Sequence, residues 1–152
     1  DMVIVAPDAG AVRRARRIAA RLGTKMAMID ARNDDKSGTL RTEIIGEIDA
    51  HAVIVDDIID TASTVTLAAK ALKDKGAKVV IACATHGILS AGAIKRLRES
   101  ALDQVVLTDT FPIQRLQQTD LKKAVVLSVA PLLAEAIRRI HNEESVSALY
   151  AV

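Results

Sequence analysis

The sequence predicts an α/β fold, a mostly parallel twisted sheet with helices on both faces. Short apolar runs of strand length, such as residues 3–5, 52–55 and 78–84, alternate with helical patterns of about a dozen residues. Several of these runs stop at a polar or acidic residue shortly before a helical pattern opens, as strands do when they cross over into helices. Half of the 152 residues are apolar, so a single domain spanning residues 1–152 has ample material for a core.

In chain order, residues 3–5 form a first strand that ends at Ala6, Pro7 and Asp8. A helix over 11–22 is closed by Gly23, which enters the left-handed cap conformation without a Cβ penalty. Residues 25–29 read as the second strand. Residues 31–42 carry Asn33, Asp34, Asp35, Ser37 and Gly38 and are expected to form a mobile loop. Residues 43–48 read as a short strand and 52–55 as a buried one. A helix over 64–75 ends at Gly76, followed by a strand at 78–84 and a helix at 91–99. Strands at 105–107 and 125–127 and a helix at 131–140 complete the set, and no internal repeat interrupts it. In such sheets ligands bind beyond the carboxyl ends of the strands, where Asp8, Asp56, His86 and Asp109 are expected.

The bulk properties narrow the function. A net charge of +2 and only two aromatic residues, Phe111 and Tyr150, argue against a nucleic-acid partner, which needs a basic field or stacking platforms. No apolar run approaches the roughly 20 residues that span a bilayer, and no signal peptide opens the sequence. The single Cys83 suits a reducing compartment. A cytoplasmic chain with no membrane partner is expected.

The richest stretch runs from Val53, Ile54 and Val55 into Asp56 and Asp57, then through Asp60, Thr61, Ala62, Ser63 and Thr64 into a helix. Its plain reading is a strand followed by a helix that Thr61 or Ser63 caps. Adjacent acids at a buried strand end are costly without a partner, however, and a helix N-terminus attracts phosphate. One loop thus offers carboxylates for hydroxyls and free N–H groups for a phosphate. Asp8 with Gly10 is either a simple turn or a second acidic strand end. Arg13, Arg14, Arg16, Arg17 and Arg21 crowd one helix, most simply as a solvated face. His86 is expected near the site, His51 and His141 on the surface, and Cys83 in the core. No His or Cys pair has metal-site spacing.

Taken together, these segments resemble the type I phosphoribosyltransferase fold and, more narrowly, ribose-phosphate pyrophosphokinases, which make phosphoribosyl pyrophosphate. Ala6, Pro7, Asp8, Ala9 and Gly10 resemble the family's PDxGG loop, and residues 84–90 its THGIFS segment. Residues 108–112 resemble TDTIP, while 133–139 and 142–145 are similar to the family's C-terminal end. The resemblance implies that Asp56, Asp57 and Asp60 hold ribose, that Thr61, Ala62, Ser63 and Thr64 hold the 5-phosphate, and that Asp8 serves magnesium and pyrophosphate. The family's usual Gly in the phosphate turn is Ser63 here. Its catalytic DKRR strand end reads Asp30, Ala31, Arg32 and Asn33, so Arg32 alone of the catalytic cations remains, with Lys36 and Arg41 further on. Implied partners are ribose 5-phosphate or phosphoribosyl pyrophosphate, with ATP only where a second domain or subunit completes the site. By the resemblance the chain corresponds to the C-terminal half of the family, weak or inactive alone, in a homo-oligomer or heteromer. Its apolar tail, 145–152, is expected to pack on a partner or to fold back on its own sheet. The alternatives are a non-catalytic regulatory ribose-phosphate-binding subunit and a free-standing phosphoribosyltransferase.

Overall fold

The computed structural model describes residues 1–33, 40–90, 92–112 and 121–150. The strands are β1 (Met2–Ala6), β2 (Lys25–Asn33), β3 (Leu40–Ile45), β4 (His51–Ile59), β5 (Val79–Gly87), β6 (Gln104–Thr108) and β7 (Ala124–Leu127). The helices are α1 (Val12–Leu22), α2 (Ser63–Asp74), α3 (Ala93–Glu99) and α4 (Ala130–His141). The strands form one sheet in the order β3-β2-β1-β4-β5-β6-β7. Every neighbouring pair is parallel except β2 and β3, so the predicted fold class holds.

The pleat distributes side chains to two cores. Ile4 and Ala6 of β1 pack with Ala11, Ala15 and Ala19 beneath α1, together with Val55 of β4. Val3 and Val5, facing the other way, join Ile54 of β4, Val65, Ala68 and Leu72 of α2, and Ala93 and Leu97 of α3. Chain order reverses at β1, which lies between β2 and β4, so a crevice opens beyond the carboxyl ends of β1 and β4. No helix among the described residues is long and apolar enough to cross a membrane.

Four expectations need correction. The stretch 31–42 is not a loop throughout. β2 runs on to Asn33 and β3 starts at Leu40, an antiparallel edge pair from Met28 opposite Ile45 to Asn33 opposite Leu40. Residues 34–39, including Lys36, lie outside the described residues. Backbone pairing between the two strands outweighed the polar composition. Second, β4 does not stop at its acids: Asp56 pairs with Ala84, and the strand continues to Ile59. Third, His86 lies within β5 rather than beyond its end. Fourth, α2 begins at Ser63 behind an N-cap residue, Ala62, whose side chain has no oxygen. The other elements fall within a few residues of expectation, although residue 91, expected to open α3, lies outside the described residues.

Candidate functional site

Most of the expected residues converge at the crevice, although Asp57 lines neither of the two cavities described next. Ile58, Ile59, Asp60, Thr61, Ala62, Ser63, Thr64 and Val65 wrap a small cavity of about 140 Å³ that Asp56 also lines. Ser63 and Thr64 also line a larger cleft of about 480 Å³ with Pro7, Asp8, Ala9, Ile29, Asp30, Ala31 and Leu67. The acid-rich strand end, the hydroxyl turn and the Asp8 turn therefore share walls, although roughly fifty residues separate Asp8 from the turn in sequence.

The loop is braced from several sides. Ala62 sits in the left-handed region at φ +63° with its methyl buried, a conformation that costs a non-glycine residue roughly 1–2 kcal/mol. The Leu89 N–H donates to Ile59 O at 3.2 Å, and the Ser90 N–H to Asp60 O at 3.2 Å, tying the loop to the turn after β5. Arg96 of α3 donates from Nη1 to Thr61 O at 3.0 Å. The Thr61 and Ser63 hydroxyls are 2.8 Å apart, and the Ser63 N–H reaches Thr61 Oγ1 only at 3.4 Å. No acid stands in the first turn of α2. The turn thus carries hydroxyls and helix-start N–H groups, a combination chemically suited to an anion. Ser63 takes part in this polar rim.

Asp56 is half-buried and Asp57 exposed. Asp56 Oδ1 accepts the Asp57 N–H at 2.9 Å. Burial pushes the Asp56 carboxyl up to about 6, and the neighbouring charges of Asp57 and Asp8 push the same way. Slight burial works against Asp57, but its hydrogen bond with Asp56 and the Arg14 guanidinium hold its carboxyl below the usual range. Arg14, read from sequence as part of a solvated face, donates from Nη1 to Asp56 Oδ1 at 3.3 Å and from Nη2 to Asp57 Oδ2 at 2.6 Å. A pair 42 residues apart leaves no spacing signal in a single sequence.

Asp8 caps the short 3-10 turn at Ala9–Ala11, its Oδ1 accepting the Ala11 N–H at 3.1 Å. The strand-end turn and the acidic site are thus one structure. The backbone of Arg32 and Asn33 lies at the end of β2, while their side chains lie outside the description. Ala31 presents only a methyl to the cleft. His86 is engaged by Thr110, with Nδ1 to Oγ1 at 2.8 Å, and Thr108 and Thr110 both donate to Thr85 O. Burial pushes the Cys83 thiol up, consistent with a packing role. Among the described residues no group of three or more His, Cys, Asp and Glu stands ready to hold a metal.

Comparison with known proteins gives a consistent result. Residues 37–151 match the phosphoribosyl synthetase-associated domain. The chain is 49% identical over 151 residues to a ribose-phosphate pyrophosphokinase of Caldanaerobacter subterraneus subsp. tengcongensis, covering 99% of this chain and 47% of that protein. It is 47% identical over 151 residues to that of Thermotoga maritima, with the same two coverages. The solved phosphoribosylpyrophosphate synthetase of Mycobacterium smegmatis superposes with a TM-score of 0.82 at 37% identity, over 94% of this chain and 46% of that one. The chain thus spans about half the length of the curated relatives it matches.

Proposed function

Because the chain belongs to the phosphoribosyl synthetase-associated domain family, we propose that it is the ribose 5-phosphate-binding half of a ribose-phosphate pyrophosphokinase. The parent reaction would transfer pyrophosphate from ATP to the C1 hydroxyl of ribose 5-phosphate, within cytoplasmic nucleotide biosynthesis. The observation that carries the reading is the shared wall of the two cavities. Ser63 and Thr64, at the open start of α2, adjoin Asp56 on one side and Asp8 on the other. A phosphate at the turn would place sugar hydroxyls against Asp56, Asp57 and Asp60 and leave the C1 side facing the larger cleft.

Magnesium belongs to this reading through Asp8. Magnesium usually keeps several waters and takes one or two carboxylates plus substrate phosphates, so Asp8, in the wall of a cleft that Asp30 also lines, fits. Asp8 Oδ1 is committed to the Ala11 N–H, so Oδ2 is the oxygen on offer. The ion would offset charge on the pyrophosphate when bound. Arg32 is the one catalytic cation proposed from this chain. A match over 47% of a relative's length fits either half, and the C-terminal assignment rests on the motif resemblance alone. ATP, a partner subunit and homo- or hetero-oligomerisation are further parts of the proposal, as is the single-domain organisation of residues 1–152.

A second reading, a non-catalytic subunit that binds ribose phosphate and regulates an active partner, is favoured by Ala31 in the wall of the cleft, where a cation would be useful. Titration calorimetry with ribose 5-phosphate and magnesium tests what both readings share. Binding that disappears when Asp56 and Asp57 are both replaced by Ala is expected. Unchanged binding by the double variant would remove the loop from the site.

A further inference from the structure

We propose that Arg14 is a positioning residue that sets the two acids for a vicinal diol and so makes this site discriminate ribose from 2-deoxyribose phosphates, an inference that rests on the reading of the loop given above. The geometry points to this in three steps.

Arg14 is anchored in the first turn of α1, whose Ala15 and Ala19 are buried against β1 and β4. Its guanidinium is a rigid planar fork, and here the two prongs take different carboxylates, Asp56 at 3.3 Å and Asp57 at 2.6 Å. Among the described residues, Arg13, Arg16, Arg17 and Arg21 form no ion pair, so of the five arginines on this helix only Arg14 is tied to the site. The helix is rich in arginine, but one guanidinium has a distinct task.

The fork also divides each carboxylate. Oδ1 of Asp56 and Oδ2 of Asp57 take the Arg14 bonds, and Oδ1 of Asp56 takes the Asp57 N–H as well. Oδ2 of Asp56 and Oδ1 of Asp57 take neither the Arg14 bonds nor the Asp57 N–H. Two carboxylates held by one guanidinium suit two adjacent hydroxyls, each of which donates one hydrogen bond. The clamp also keeps two adjacent carboxylates from turning away from each other, which their mutual repulsion would favour. A lysine, with a compact ammonium on a flexible stem, would not hold both acids in this geometry.

A sugar lacking one of the two hydroxyls leaves one oriented oxygen unsatisfied, and an oriented site penalises that loss more than a loose one. Discrimination between the two sugars is therefore the quantity that depends on Arg14. Phosphate binding at the turn is not.

The test is calorimetry on the full chain with three ligands: ribose 5-phosphate, 2-deoxyribose 5-phosphate and inorganic phosphate. The wild-type chain is expected to prefer ribose 5-phosphate by on the order of tenfold or more. Arg14→Gln is expected to reduce that preference to about twofold or less while leaving the inorganic phosphate affinity unchanged, and Arg14→Lys to fall between. Thermal melts run alongside show whether each variant is folded, and the Lys variant keeps the test valid where the Gln variant is not. A folded Arg14→Gln or Arg14→Lys chain with the full wild-type preference overturns the role of Arg14 and leaves the loop reading intact. A wild-type chain that binds inorganic phosphate but neither sugar phosphate overturns the loop reading, and this inference with it.

Discussion

Asp56 shows how a site residue weakens the fold that holds it. Its carboxyl is pushed from 3.8 to about 6, first by burial and then by the charges of Asp57 and Asp8. The folded state therefore favours the protonated form more than the unfolded chain does. The associated stability is fully present below pH 3.8, the ordinary carboxyl value, and is lost as pH rises through about 6. Asp103 behaves oppositely. Slight burial pushes its carboxyl up, but the hydrogen bonds from Lys73 and the Val80 N–H win and hold it low, so its contribution falls only at more acid pH. Between pH 4 and 7 the Asp56 effect is therefore separable. Asp56→Asn is expected to flatten the slope of stability with pH over that range and to stabilise the chain at pH 7 by about 1–2 kcal/mol, while abolishing sugar binding. Urea denaturation at several pH values measures it, and an Asn variant that keeps the wild-type slope would refute the assignment. That the acids, the hydroxyl turn and Asp8 lie close together was legible because these residue types sit where a strand runs on into a helix. Arg14 was not, since its partners lie on another element 42 and 43 residues away.

At the scale of elements, the buried parallel strands were readable from apolar runs such as Val53, Ile54 and Val55, and α1 from its cap at Gly23, which adopts φ +63°. The edge was not readable. β3 and the far end of β2 pair through backbone groups, and their polar side chains carry no continuous apolar signal. Gly46, directly after β3, lets the chain pass close to β2. Its φ is +114°, and a Cβ there would come within 3.0 Å of the Ala27 Cα and the Met26 carbonyl. Gly46→Ala combines a strained backbone with a close approach to main chain that cannot yield like a side chain. It is expected to destabilise the chain by about 1–3 kcal/mol. The midpoint of chemical denaturation reports this, and a shift near zero would mean that β3 moves off the sheet without cost. The capping expectation failed for a related reason. The turn before α2 is shaped by its tethers from Leu89, Ser90 and Arg96 rather than by a side-chain cap. That leaves helix-start N–H groups and the Thr61 and Ser63 hydroxyls facing the small cavity.

The whole molecule is covered unevenly. α1, α2 and α3 bury apolar faces, but α4 has no buried residue, and Leu132, Leu133, Ile137 and Ile140 are 51–67% exposed, with Leu127 of β7 exposed nearby in sequence. Tyr150 is exposed too, while Val152, the end of the expected docking tail, lies outside the described residues. An apolar stripe of this kind favours association. Light scattering over a dilution series should show self-association that Leu133→Ser with Ile137→Ser shifts toward monomer, and a wild-type chain that stays monomeric at high concentration would show the stripe to be tolerated. The same incompleteness governs activity. The relatives are about twice as long, as the 47% coverage shows. Ala31 and Asn33 also stand where the resemblance expects cations. Electrostatic stabilisation of a transferring phosphoryl group is worth roughly 3 kcal/mol for each group removed, and loss of nucleotide positioning adds to that. The 152-residue chain alone should therefore bind ribose 5-phosphate yet release little AMP from ATP. With ribose 5-phosphate, ATP and magnesium saturating, turnover well below about one per second is expected. Turnover at or above that rate would mean that Arg32 with the residues around it, or a second copy of the chain, supplies the charge that Ala31 and Asn33 lack.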